Sequence, residues 1–142
     1  MSWVFKDTQL ELTEIPEGAF GFIYLISYHD ITNGKIYSYI GKKNFYQERT
    51  LALGKKELAA RADGRQSKKK KVTTESNWKK YQSSNKLLMS VEPKFLSKEI
   101  LKICYSKTEL TYSETKALFV NEVLESDNFL NDNISGTYFK TK

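Results

Sequence analysis

A hairpin between residues 21 and 43 constrains the fold more than any other feature of the chain. GFIYLISY is dense in β-branched and aromatic residues, HDITNGK brings a turn with Asn33-Gly34, and IYSYIGKK resumes the strand character. A two-residue turn at Asn33-Gly34 would set Tyr28 opposite Tyr39 and Tyr24 opposite Lys43. Because side chains alternate with period two, Tyr24, Tyr37, Tyr39 and Lys43 then share one face.

Downstream, NFYQERTLALGKKELAARA mixes good helix formers around Gly54 and reads as a helix that bends there. DGRQSKKKKVTT has no apolar period and reads as a mobile cationic loop. NWKKYQSSNKLLM, with Ser76 as N-cap, spaces Trp78, Tyr81, Leu87 and Leu88 as a short helix on the core. Pro93 closes it and EILKIC supplies a third strand. TYSETKALFVNEVLE is amphipathic, with Thr111 as N-cap and Leu118, Phe119, Val123 and Leu124 inward. The turn-rich tail DNFLNDNISGTYFK packs back irregularly. The expected class is α/β (α+β): a small three-stranded antiparallel sheet flanked by helices, in the order β-β-α-α-β-α. One domain is expected over residues 1–142, with a basic insertion around 55–75.

A single cysteine, Cys104, excludes an internal disulfide and a multi-cysteine zinc cage, and reads as a small buried hydrophobe. The single histidine, His29, lies near the turn and reads as surface, which removes histidine-based catalysis. Between Lys42 and Lys71 there are 11 Lys or Arg against 3 Asp or Glu, so the net charge of +6 is concentrated in that stretch. An anionic partner follows as an expectation. With neither a signal-like start nor a membrane-length apolar run, the chain is expected to be soluble and cytoplasmic, with no membrane partner.

Order now matters. Phe22-Ile23-Tyr24, then Tyr39-Ile40-Gly41, then Arg49 ten positions past that tyrosine, and late in the chain Glu114, together resemble the GIY-YIG nucleases, in particular phage-type, homing-endonuclease-like members. The resemblance covers roughly residues 21–133. It implies a DNA endonuclease that hydrolyses phosphodiester bonds with Mg²⁺, or another divalent cation such as Mn²⁺. Glu114 would ligate the metal, Arg49 would grip the scissile phosphate, and Tyr24 and Tyr39 would position and deprotonate the water. A free phenol has a pKa of about 10. By parity Lys43, more than Lys42, is placed to lower a tyrosine. Lys42, Lys43, Lys68, Lys69, Lys70, Lys71, Lys79 and Lys80 are the candidate phosphate contacts. The chain is expected to have no room for a separate DNA-reading module, so specificity would come from the domain's own loops or from the partner in a homodimer, or be slight.

The chain departs from the pattern at Phe22, where the family has glycine, and at Leu53, where many members carry a His or Tyr four residues after the arginine. Tyr81 or Lys80 could replace that partner. Asn131 or Asn133 stands where the family ties its C-terminal segment to the site, although either could be a simple turn residue.

Taken singly, Tyr24 and Tyr39 are ordinary strand aromatics and Arg49 a solvated charge, while Thr111-Tyr112-Ser113-Glu114 fits a capping box. The alternative function is a non-catalytic nucleic-acid-binding domain that keeps the nuclease fold. A carboxylate-cluster nuclease does not assemble, because Glu99 and Lys102 face opposite sides of a strand.

Overall fold

A computed structural model describes residues 2–52 and 69–140. The chain divides into two compact units, one of Met1–Phe45 with Asn77–Lys142 and one of Tyr46–Ser76.

The first unit is built on a mixed four-stranded sheet in the order β1-β6-β2-β3. Its strands are β1 (Val4–Phe5), β2 (Gly21–Asp30), β3 (Lys35–Asn44) and β6 (Leu96–Cys104). Three are the antiparallel strands expected from the sequence. The fourth, β1, adds in parallel to β6 through Val4 and Phe5 opposite Glu99 and Ile100. A two-residue strand pairing with a segment far along the chain leaves no local signature.

The hairpin forms with a longer turn than expected. Residues 31–34 connect Asp30 to Lys35, with Gly34 at φ +72° and the Asn33 side chain accepting from the Lys35 amide at 2.9 Å. The pairing is Tyr28 with Tyr37, Ile26 with Tyr39, and Tyr24 with Gly41. That register is two residues off the expectation. Since the side-chain period is also two, Tyr24, Tyr37, Tyr39 and Lys43 still share a face.

Each face of the sheet carries its own core. On the tyrosine face, Trp3, Phe22, Tyr24, Ile26, Phe45, Trp78, Leu88 and Ile100 are buried together, and the Trp3 indole donates to the Trp78 carbonyl at 2.6 Å. On the other face, Ile23, Ile40, Cys104, Leu110, Leu118 and Val123 pack with Ile134. A bulge between Ile23 and Tyr24 on β2 and the facing residues of β6 lets Ile100 and Ile103 join the tyrosine-side core, although alternation would separate them. Cys104 is buried and His29 exposed, as read from the sequence.

Helix α2 (Lys107–Val120) covers the second core. It begins five residues earlier than expected. The N-cap is Ser106, whose hydroxyl accepts from the Glu109 amide at 3.1 Å, while Glu109 accepts from the Tyr105 amide at 2.7 Å. Leu118 and Val123 are buried as expected, but Phe119 is 49 % exposed, because it lies about 100° around the helix from Leu118, off the buried stripe of Leu110, Ser113 and Leu118.

Two expected helices are absent from the described residues. Residues 77–84 are irregular, and the short α1 (Lys86–Ser90) starts from Asn85, which caps the amides of Leu87 and Leu88. Trp78 is buried as expected, but a positive φ at Ser83 (+86°) is incompatible with a continuous helix from Ser76.

The other absent helix falls in the second unit, where Tyr46–Ala52 forms strand β4, paired antiparallel with β5 (Lys69–Glu75). The local helix preference of QERTLA is overridden by a partner rich in β-branched residues, Val72-Thr73-Thr74. Lys69–Glu75 is therefore strand and not loop, whereas residues 53–68, including Leu53, Gly54, Lys68 and most of the basic insertion, lie outside the described residues.

The remaining strands, β7 (Asn133–Ile134) and β8 (Tyr138–Phe139), form a small hairpin in the tail. Among the described residues no helix is long and apolar enough to cross a membrane.

Candidate active site

Cross-strand pairing brings the two motif tyrosines together. Tyr24 and Tyr39 stack with ring centroids 6.3 Å apart, and Tyr81, arriving from the loop before α1, stands edge-on to Tyr24 at 5.8 Å. Tyr24 can lie flat across β3 because its partner there is Gly41. A Cβ at that position would fall 2.6 Å from the Tyr24 ring carbon Cζ. The glycine of the YIG triplet is therefore required by the first tyrosine.

The loop that carries Tyr81 also supplies hydroxyls the sequence did not single out. Ser83 is buried, holds a left-handed backbone, and hydrogen-bonds the Tyr24 hydroxyl; its neighbour Ser84 lies 3.3 Å from the hydroxyl of Tyr39. Consecutive serines thus meet the two phenols one each. A strained non-glycine residue at such a position costs of order 1–3 kcal/mol and persists where surroundings hold it. The run Ser83-Ser84-Asn85, reading as hydroxyl, hydroxyl and helix cap, is the signal that could have located this loop.

The electrostatics differ from the expectation for Lys43. Burial, aided by the neighbouring Tyr81, pushes the Tyr24 phenol far above its ordinary value. The Tyr39 phenol is also raised, by burial first and then by the charges of Tyr81, Glu114 and Asp132, against the lowering effect of Ser84. Lys43 does not counter this, since its ammonium sits 4.3 Å from the centre of the Tyr81 ring and is itself lowered by burial. Both motif phenols keep their protons in this state.

Glu114 lies two turns into α2, so the capping box belongs to Ser106 and Glu109 and leaves the Glu114 carboxylate unclaimed by the helix terminus. Burial raises its pKa, and Lys42 opposes the rise. Lys42 donates to Thr111, one turn earlier on the same helix face, at 3.4 Å. The helix that carries Glu114 covers the face of the sheet opposite the tyrosines, with Lys42 of β3 bonded to Thr111 one turn away, and the charge of Glu114 is one of the lesser causes that raise the Tyr39 phenol.

The outer edge of β3 is closed by the tail. The Asn131 amide donates to the Ile40 carbonyl at 2.8 Å, and its oxygen accepts from the Ile40 amide at 3.1 Å, within a buried setting. Asn131 is therefore the tie that the resemblance anticipated, set between Tyr39 and Gly41. Asn133 is the turn residue, accepting from the Gly136 amide at 3.1 Å. Replacing Asn131 by Ala orphans a buried backbone N–H and C=O, and should lower stability by about 2–4 kcal/mol in denaturant titration. A shift under about 0.5 kcal/mol would show that water substitutes for the clamp.

The tie also delivers Asp132, a second carboxylate near Tyr39 that the sequence reading passed over. Among the described residues no group of three or more His, Cys, Asp or Glu could form a full metal cage. A single half-buried carboxylate suits a hard cation such as Mg²⁺ that keeps most of its waters and shares substrate oxygens.

Arg49 is on a strand, not a helix. It sits exposed in β4 opposite Val72, and with the Gln47 amide oxygen turned toward it, Gln47 accepts from its guanidinium at 3.1 and 3.3 Å. It belongs to the second unit, whereas the tyrosines and Glu114 belong to the first. Of the candidate phosphate-binding lysines, Lys42, Lys71, Lys79 and Lys80 are exposed and Lys43 is half-buried, while Lys69 and Lys70 are described only as β5 backbone.

Neither the curated proteins nor the solved structures gave a significant match. A match was found to the family described as "Putative endonuclease segE, GIY-YIG domain", over residues 3–134, which takes in β1, both tyrosines, β4, α2 and the Asn131 clamp. The chain belongs to this segE-type GIY-YIG family.

Proposed function

We propose that the protein is a divalent-metal-dependent endonuclease that hydrolyses phosphodiester bonds in DNA, of the homing or restriction kind found in phages. The observation that carries this reading is the arrangement around β3. Two stacked phenols lie on one face with Tyr81 and Ser84 of a single loop against them, in a chain matched over residues 3–134 by a GIY-YIG endonuclease family.

Hydrolysis needs a positioned water, a place for its proton, and positive charge to offset that growing on the phosphate. Tyr24, 1 % exposed and bonded to Ser83, acts as a wall that fixes the Tyr39 ring. Tyr39 is half-buried with its hydroxyl toward Ser84, so it is the phenol that contacts the water and receives its proton. Glu114 would hold the cation, Mg²⁺ or Mn²⁺, which when bound would supply positive charge favouring a Tyr39 phenolate and offsetting charge on the phosphate, and Tyr39 would give its own proton to solvent before it accepts one from the water. Arg49 is assigned to the scissile phosphate as a planar, always charged fork. In-line attack forms the bond from the water oxygen to phosphorus as the bond to the 3′ oxygen breaks, and that oxygen takes a proton from solvent, which leaves 5′-phosphate and 3′-hydroxyl ends.

Supercoiled plasmid incubated with Mg²⁺ or with EDTA tests the reading directly. Nicked or linear product in Mg²⁺ alone is the expected result. Tight DNA binding without cleavage under any divalent cation would instead assign the chain to a binding domain that kept the fold.

Division of labour between the phenols gives a sharper test. Tyr39→Phe should lower the single-turnover rate by about 10²–10⁴, the range of a lost general base. Tyr24→Phe should change the rate less than about tenfold and cost about 1 kcal/mol of stability through its lost hydrogen bonds. Equal rate losses in the two variants would overturn the assignment of Tyr39 as the base.

A further inference from the structure

Lys98 is a buried cation that the proposed chemistry does not use. It lies mid-strand in β6, opposite Ile26, and is 4 % exposed. An ammonium carries three donors. One goes to the Lys79 carbonyl at 3.1 Å, and the group lies 4.5 Å from the centre of the Trp3 ring. Among the described residues no carboxylate pairs with it. Buried lysines without a counter-charge are rare, because desolvation of the ammonium is costly.

The surroundings of Lys98 add to the imbalance. It lines a cleft of about 260 Å³ together with Lys79, Lys80, Gln82 and Pro93. Three of the five lining residues are cationic and none is acidic. The Gln82 amide is already spent on the carbonyls of Leu88 and Val91, so it shapes the wall and leaves the lysines as the donors. Burial pushes Lys98 down to about 8, the direction expected of an ammonium that lacks an anion.

Position links the cleft to the tyrosines. Ile26 pairs with Lys98 on one side and with Tyr39 on the other, so all three side chains leave the same face of the sheet. Two strand spacings separate the backbones of Lys98 and Tyr39, about 10 Å. That is roughly three nucleotide rises along one strand of B-form DNA.

We propose that the Lys79, Lys80 and Lys98 cleft is a phosphate-binding subsite, which takes a backbone phosphodiester of the DNA a few nucleotides from the bond that is cut. The assignment rests on the endonuclease reading for its ligand. Its role is to fix the register of the strand across Tyr39, with Lys98 as a preformed deep contact and the two exposed lysines closing over the phosphate.

Binding of a short labelled duplex in EDTA, measured across a salt series, tests this without any cleavage. Lys98→Met should weaken binding about tenfold and reduce the slope of log K against log salt by about 0.9, the value of one lost phosphate contact. The same variant should raise the melting temperature, because a buried charge has been replaced by an apolar chain of similar length. Lys79→Met with Lys80→Met, both exposed, serves if Lys98→Met does not fold, and should lower the slope by about 1.8.

In the wild type, the Lys98 ammonium resonance should titrate at higher pH with duplex bound. Unchanged affinity and slope in both variants would overturn the subsite. So would a Lys98 resonance that responds to inorganic phosphate but not to duplex, which would make the cleft a free-anion site. Failure of the wild type to cut plasmid in Mg²⁺ is a separate result that removes the endonuclease reading while leaving the binding data intact.

Discussion

Glu114→Ala is expected to leave supercoiled DNA uncut in Mg²⁺, a loss of at least about 10³ in rate, while duplex binding in EDTA stays within about twofold of wild type. The size follows from the donor set. Among the described residues Glu114 has no third carboxylate or imidazole to stand in for it, and removal of charge stabilisation at a phosphoryl centre costs several kcal/mol. Retained binding follows because the phosphate-facing charge lies on lysines and not on this helix position.

A pH dependence accompanies this result. The metal needs the carboxylate form, and burial holds the Glu114 proton on to higher pH than usual. Activity at fixed, subsaturating Mg²⁺ should therefore rise with pH through that displaced value. Lys42 pulls the same pKa down, so Lys42→Met should move the acid limb to higher pH. An acid limb that stays in place would show that another group titrates there. Cleavage by Glu114→Ala at the wild-type rate would remove the metal assignment altogether.

Gly41→Ala should be the most damaging single methyl in the chain. The added carbon would meet the Tyr24 ring, 2.6 Å from Cζ and 3.1 Å from Cε2, with the hydroxyl nearer still. Tyr24 has little space to yield, since Trp3 lies 5.4 Å away, Tyr81 5.8 Å and Tyr39 6.3 Å between ring centres. Overpacking of this kind costs about 2–3 kcal/mol, or roughly 6–10 °C in melting temperature for a chain of this size. Cleavage should fall further than stability, because the wall behind Tyr39 is displaced. Tyr24→Phe in the Gly41→Ala background removes the nearest atom and should recover part of the loss, a non-additivity that a double-mutant cycle reads. Strict additivity would mean that β3 moves instead of the ring.

Much of this was written in local sequence. The hairpin, the third strand and α2 are announced by β-branched alternation, Asn-Gly and helical periodicity, which are short-range signals. The tyrosine face survived an error of two residues in the turn because the pleat has the same period. The family was legible too, since Tyr24, Tyr39-Ile40-Gly41, Arg49 and Glu114 keep their order whatever the local conformation.

Where the reading failed, long-range pairing decided. QERTLA prefers helix, but a distant lysine- and threonine-rich strand satisfies its backbone and makes it β4. Residues 77–84 carry helical spacing and bury Trp78 as expected, yet Ser83 adopts a left-handed turn that aims two serines at two phenols. Neither Asp132 beside Tyr39 nor Lys98 without an anion has any mark in sequence, because what distinguishes each is its neighbours. The sequence by itself determined which chemical groups this protein has and on which side of the hairpin the phenols lie. The tertiary structure alone decided their protonation, the glycine beneath Tyr24 and the lysine cleft, because desolvation and close contact arise only when segments distant in the chain pack together.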